Sequence, residues 1–112
     1  MDEKETEAKV MVLASMIEYQ EGSVVSRTLI KKKSGTVTLF AFDKAQELSE
    51  HSAPYDAIVE VLEGSARITL DGEAFEIGPG ELIILPAKRP HAVFAAERFK
   101  MMLIMIRSEQ TG

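Results

Sequence analysis

Apolar and polar residues alternate over short runs along most of the chain, and glycine or proline punctuates the runs. The first such run is "SVVSRTLIKK" (23–32), dense in β-branched residues, and "TVTLFAF" (36–42) follows across the turn "KKKSG". "DAIVEVLEG" (56–64) closes on Gly64. "ELIILP" (81–86) reads as a short buried strand stopped by Pro86. "HAVFA" (91–95) starts after Pro90, and "FKMMLIMI" (99–106) is the last run. Period-2 alternation of this kind predicts strands with one face in a core. The clearest local signal is "SARITLDGEAFEI" (65–77), where Asp71-Gly72 sits between two alternating runs as a type I′ hairpin turn requires. "DKAQELSEH" (43–51) reads as a polar loop, and "GPG" (78–80) as a turn rather than a phosphate loop. About eight short strands with little helix predict an all-β fold, an antiparallel sandwich or barrel.

The ends are less regular. Residues 1–9 and 108–112 are expected to be flexible tails around one domain over 10–107. In "VMVLASMIEY", Val12, Met16 and Tyr19 have helix-like spacing, which suggests a short helix or a packed irregular arm.

Composition narrows the chemistry. With 112 residues the chain fits a single domain. It has no cysteine, so disulfides, zinc–thiolate sites and thiol catalysis are excluded. A formal net charge of −5 argues against nonspecific binding to nucleic acid or to an anionic membrane. The first residues, "MDEKETEAK", are charged where a signal peptide is apolar, which leads us to expect a cytoplasmic protein. No serine stands in an elbow motif, and no acid is placed to orient a histidine.

Two stretches hold the chain's only histidines, and both resemble the paired motifs of the cupin superfamily of small β-barrels. In "GELIILPAKRPHAVFA", Gly80, Pro86 and His91 fall on the glycine, proline and histidine of the second cupin motif, with Lys88 in place of its second glycine and Ala95 in place of its asparagine. In "AQELSEHSAPYDAIVEVLEG", His51 and Gly64 fall on the first histidine and closing glycine of the first motif, with Ala45 in place of its opening glycine. The resemblance spans roughly 24–106. It implies a small antiparallel barrel or double-sheet jelly roll, and a homodimer in which an N-terminal arm offers an extra strand.

The resemblance also implies a metal held by three histidines and a glutamate. Here Ala53 takes the place of the second histidine and Ala57 that of the glutamate, so two of the four ligands are methyl groups. His51 and His91 with waters could hold one divalent transition metal (zinc, nickel, iron, manganese or copper), and only weakly. Glu50, Gln46 and Tyr55 lie near His51 in sequence. Asp56 and Glu60 have outward parity unless a bulge at Pro54 turns Asp56 inward. His51 and His91 are expected to converge on one pocket. Phe40 and Met102 are the apolar candidates for contact with a bound cofactor or ligand, although core packing is the ordinary role of Phe40, Phe42, Phe94, Phe99 and the methionines of the last strand. Three readings stay open: a module binding a small molecule in the barrel, with His51 and His91 as polar anchors; a metal-dependent cupin enzyme of oxygenase or isomerase type; and a structural domain without ligand.

Overall fold

The alternating runs become nine strands among residues 7–108, which are the residues that the computed structural model describes. They are β1 (Val24–Lys32), β2 (Gly35–Phe42), β3 (Glu47–His51), β4 (Tyr55–Glu63), β5 (Ala66–Leu70), β6 (Glu73–Ile77), β7 (Leu82–Leu85), β8 (His91–Phe94) and β9 (Phe99–Arg107). Of the expected tails, residues 1–6 and 109–112 lie outside the described residues. The stretch expected to be a loop, "DKAQELSEH", contains β3, because its polar side chains lie on an edge strand that exposes most of them. No helix among the described residues is long and apolar enough to cross a membrane.

The strands form two antiparallel sheets, a five-stranded one in the order β1-β2-β9-β4-β7 and a four-stranded one in the order β3-β8-β5-β6. Alternation drives them together, since each sheet has one apolar face to remove from water. Ala57, Val59 and Val61 of β4 and Met101 of β9 meet Ala66, Ile68 and Leu70 of β5 and Val93 of β8 in the shared core. Phe42 and Phe99 stack at its centre with ring centroids 4.5 Å apart.

The N-terminal segment is an irregular arm with one 3₁₀ turn, Leu13–Ser15, rather than a helix. It lies on the outer face of the five-stranded sheet, where Ile17 packs with Leu39 and Ala41, and Met16, Tyr19 and Met102 close over them. Polar clips hold it there: Tyr19 donates its hydroxyl to Glu63 Oε2 at 2.7 Å, and Lys100 Nζ donates to the Ala14 carbonyl at 2.6 Å. Arg98 and Lys100 also sit over the Tyr19 ring, 4.9 and 5.0 Å from its centroid. Burial and the hydrogen bond to Glu63 raise the Tyr19 hydroxyl above its ordinary range, so it stays a donor.

β7 departs from the expected buried strand. It is an edge strand, and only alternate residues reach the core: Leu85 is buried, whereas Leu82 and Ile84 are exposed on the outer face. Phe94 likewise follows the buried Val93 and points away from the core.

Two backbone positions carry over the turn geometry of the resembled motifs without their glycines. Ala45 and Lys88 both have left-handed backbones, with φ of 70° and 71°. Each is pinned, the Ala45 N–H by the Ala95 carbonyl at 2.7 Å and the Lys88 N–H by the Ala53 carbonyl at 2.8 Å. A Cβ in this region costs about 1–2 kcal/mol, and glycine's extra unfolded-state entropy offsets roughly 0.5–1 kcal/mol of any gain on removing it. Ala45→Gly and Lys88→Gly are therefore expected each to stabilise the fold by about 0.5–1 kcal/mol. Chemical denaturation should show a raised midpoint with an unchanged slope; a lowered midpoint at both sites would contradict the strain assignment.

Candidate functional site: a histidine pair at the barrel mouth

His51 and His91 are direct cross-strand partners on β3 and β8. Their ring centroids are 4.4 Å apart and their planes meet at 62°. On its other side His91 pairs with Leu70 of β5. Because residues i and i+2 of a strand share a face, His91 lies on the same side as the core residue Val93, and its partner His51 lies there too. His51 is exposed and His91 half-buried, which puts the pair at an open end of the barrel.

A β-bulge produces this pairing. Leu48 of β3 opposes Val93 of β8, and regular alternation would next oppose Glu50 to His91. The register shifts between Leu48 and His51, so His51 takes that position. The bulge thus lies within β3 rather than at Pro54. Asp56 keeps its outward parity, opposite Ile106, and accepts the Ala87 N–H at 2.9 Å.

The loops around the mouth are tied to one another by the main chain. Ser108 N–H donates to the Pro54 carbonyl at 2.9 Å, and Asp71 N–H to the Pro90 carbonyl at 2.9 Å. Arg89, two residues from His91, forms a 2.5 Å ion pair with Asp71.

Backbone carbonyls orient both imidazoles. His51 Nδ1 lies 2.8 Å from the Ser49 carbonyl oxygen and His91 Nδ1 lies 3.3 Å from that of Arg89. A carbonyl only accepts, so each Nδ1 carries the proton and donates it. In the neutral rings each Nε2 is then left with a free lone pair. Desolvation lowers the His91 pKa below its ordinary value of 6.5, with His51 adding in the same direction against the opposing Arg89 hydrogen bond. Loss of the proton is thus favoured at His91, and a neutral ring with its Nδ1 proton on a carbonyl presents one Nε2 acceptor.

The other expected site residues divide. Phe40 packs against the main core and contacts Phe42 at 6.1 Å between ring centroids. Met102 does not join the pocket. Met101, Leu103 and Met105 face the core, and the intervening Met102 faces outward beneath the N-terminal arm. Ala57 is buried on the inner face of β4, between Leu85 and Met105, and Ala53 lies in the β3–β4 connection. No group of three or more His, Cys, Asp or Glu among the described residues could hold a metal. Two imidazoles fall short of the three protein ligands that a tight transition-metal site uses, so the residues do not fit the four-ligand centre implied by the resemblance. The groups that sequence reasoning missed are the carbonyls of Ser49 and Arg89. A main-chain carbonyl has no residue-type signature, and only folding reveals which ring it meets.

Comparison with known proteins agrees with this architecture. Residues 38–107 match the cupin domain family Cupin_2. A conserved protein of unknown function from Streptococcus pyogenes is 38% identical in sequence, with a TM-score of 0.87 over 93% of this chain and 91% of that one. A cupin 2 conserved barrel domain protein from Leptotrichia buccalis is 44% identical, with a TM-score of 0.83 over 85% of this chain, which spans 46% of that longer one. A cupin superfamily protein from Desulfitobacterium hafniense is 31% identical, with a TM-score of 0.85 over 89% of this chain and 92% of that one. No curated protein sequence matches the chain significantly. The two-sheet barrel, the motif residues around His51 and His91, and these matches agree: the chain belongs to the cupin family, as a small barrel of a single cupin domain.

Proposed function

We propose that the barrel mouth binds a small molecule through a hydrogen-bond donor held between His51 and His91. The observation that carries this reading is the pair of oriented acceptors. Both Nδ1 atoms are engaged by carbonyls, and the ring centroids are only 4.4 Å apart, so the two Nε2 lone pairs belong to adjacent rings. Such a pair favours a ligand that offers hydroxyl, amine or ammonium hydrogens. The metal-dependent reading draws on the same two lone pairs but lacks a third protein donor, so we place it second.

Histidine-detected NMR tests this directly, since the chain has only two histidines to assign. A panel of small amines, polyols and amino alcohols should contain compounds that shift both Nε2 resonances together, and His91→Phe should abolish the response at His51. Independent titration of the two rings by every active compound would sink the shared-site reading. Stoichiometric metal in the purified protein would favour the metal-dependent one.

The lowered His91 pKa sets a pH dependence. The folded pKa lies below the unfolded value near 6.5, so the unfolded chain takes up its proton first as the pH falls. The stability contributed by neutral His91 is therefore complete above about pH 6.5 and declines below it. Ligand binding should decline in the same direction, because protonation turns an Nε2 acceptor into a donor. Melting temperatures between pH 7.5 and 5, compared with those of His91→Gln, should show a steeper acid loss for the wild type; parallel curves would contradict the assignment.

A further inference from the structure

The loop that leads into β8 is tied down on both sides of Arg89. The Lys88 N–H donates to the Ala53 carbonyl at 2.8 Å, and the Pro90 carbonyl accepts the Asp71 N–H at 2.9 Å. Arg89 reaches back to the same Asp71, with Nε and Nη2 each 2.5 Å from Oδ2. Asp71 thus holds the segment twice, through its main chain and through its carboxylate. Pro90 narrows the choice further, because the residue before a proline is pushed into extended backbone. The group that these contacts orient is the Arg89 carbonyl, whose oxygen lies 3.3 Å from His91 Nδ1.

We propose that Asp71 and Arg89 act as a latch that sets the tautomer of His91, so that Nε2 is the nitrogen left as an acceptor. They are positioning residues, and neither is assigned a contact with the ligand. The inference rests on His51 and His91 being the binding site, and it adds the residues that prepare it. The turn is the first argument. Asp71 has a φ of 52° at the first central position of a type I′ hairpin, where asparagine serves as well as aspartate. The turn therefore calls for a small polar residue but not for a charge, and the partner of the carboxylate is Arg89.

The second argument is the difference between the two histidines. His51 Nδ1 lies 2.8 Å from the Ser49 carbonyl oxygen, and Ser49 belongs to β3 itself. Arg89 lies between β7 and β8, so its carbonyl keeps its direction only while the loop is held. Which ring nitrogen carries the proton follows from the hydrogen bond that the other atoms offer it. If the loop turns, the Nδ1 bond is lost and the proton is free to move to Nε2. The acceptor on which the site depends then becomes a donor. The Arg89 and Asp71 side chains are 50% and 39% exposed, so salt screens the latch. An ion pair of this exposure shifts such an equilibrium by about two- to five-fold.

Long-range nitrogen–proton NMR of the ligand-free full chain tests the proposal, at about pH 8, above the ordinary imidazole pKa. It reads the tautomer ratio of each histidine separately. Wild-type His91 is expected to be mainly the Nδ1–H form. Arg89→Gln and Asp71→Asn should each raise its ratio of Nε2–H to Nδ1–H by about two- to five-fold and leave the ratio at His51 unchanged. The double variant should go no further than the larger single change, because both substitutions break one interaction. Salt at ~1 M should raise the ratio in the wild type and not in the double variant. Arg89→Lys, which keeps the charge, should stay nearer the wild type. Circular dichroism melts check that each variant is folded, and Asp71→Asn retains a turn-forming Asn-Gly pair. Four results would overturn the proposal: wild-type His91 mainly in the Nε2–H form, folded single variants with the wild-type ratio, an equal shift at His51, or a salt response that persists in the double variant. No ligand is added, so the latch is decided even if no compound of the panel binds, and that failure would count against the binding reading alone.

Discussion

The variant carrying Ala53→His and Ala57→Glu is expected to be markedly less stable than the wild type without metal, and to recover when zinc or nickel is added. Ala57 is buried on the inner face of β4. A carboxylate there is an uncompensated buried charge, which costs about 3–5 kcal/mol. The two substitutions restore the ligand types of the cupin metal motif beside His51 and His91. A metal bound a thousand-fold above its dissociation constant returns about 4 kcal/mol. Melting curves with a chelator and with added metal should therefore differ widely for the variant and little for the wild type. If chelation lowers the wild-type melting temperature, a donor outside the two histidines already completes a site, and the barrel reads as a metal centre. If neither protein responds, the substituted side chains do not converge with the imidazoles.

Gly64→Ala is expected to destabilise the fold far more than Gly72→Ala, although both glycines have left-handed backbones, with φ of 74° and 83°. Gly72 is the second residue of the Asp71-Gly72 turn, and Asp71 also has positive φ, at 52°, as a type I′ hairpin requires. A Cβ on Gly72 meets nothing within 4 Å, so the substitution there adds only conformational strain, about 1 kcal/mol. A Cβ on Gly64 would lie 2.3 Å from the Arg98 carbonyl oxygen and 2.9 Å from Phe99 Cα. Those are backbone atoms of the chain entering β9, and Phe99 is held by its stack on Phe42. Strain of about 1–3 kcal/mol and overpacking of about 1–3 kcal/mol add to roughly 2–6 kcal/mol. At about 4–8 °C per kcal/mol for a domain of this size, Gly64→Ala should lower the melting temperature by 10 °C or more and Gly72→Ala by only a few degrees. Equal shifts would show that the β4–β5 turn relaxes away from Arg98.

The contrast between these glycines marks what a sequence can reveal. The Asp71-Gly72 hairpin was legible because its turn type follows from two adjacent residues and the alternation around them. The closing glycine at 64 was legible only as part of a motif, since the atoms that exclude a Cβ belong to residues 98 and 99. Ala45 and Lys88 hid the turns that they form, because neither residue type signals positive φ.

By itself the sequence determined the strand-rich architecture, most strand positions, and the inward parity of Ala57, Val59 and Val61. These follow from local alternation, turn chemistry and motif spacing, which are written residue by residue. Tertiary structure decided the rest. β3 exists because β8 gives a polar segment a partner, and β7 is half exposed because it ends its sheet. Met102 faces the arm rather than the barrel because strand parity becomes an inside and an outside only when a second layer packs on one face. The histidine site depends most on such a choice. A single bulge residue between Leu48 and His51 exchanges Glu50 for His51 opposite His91. One inserted residue reverses the direction of every side chain after it, and no residue type announces where that insertion falls.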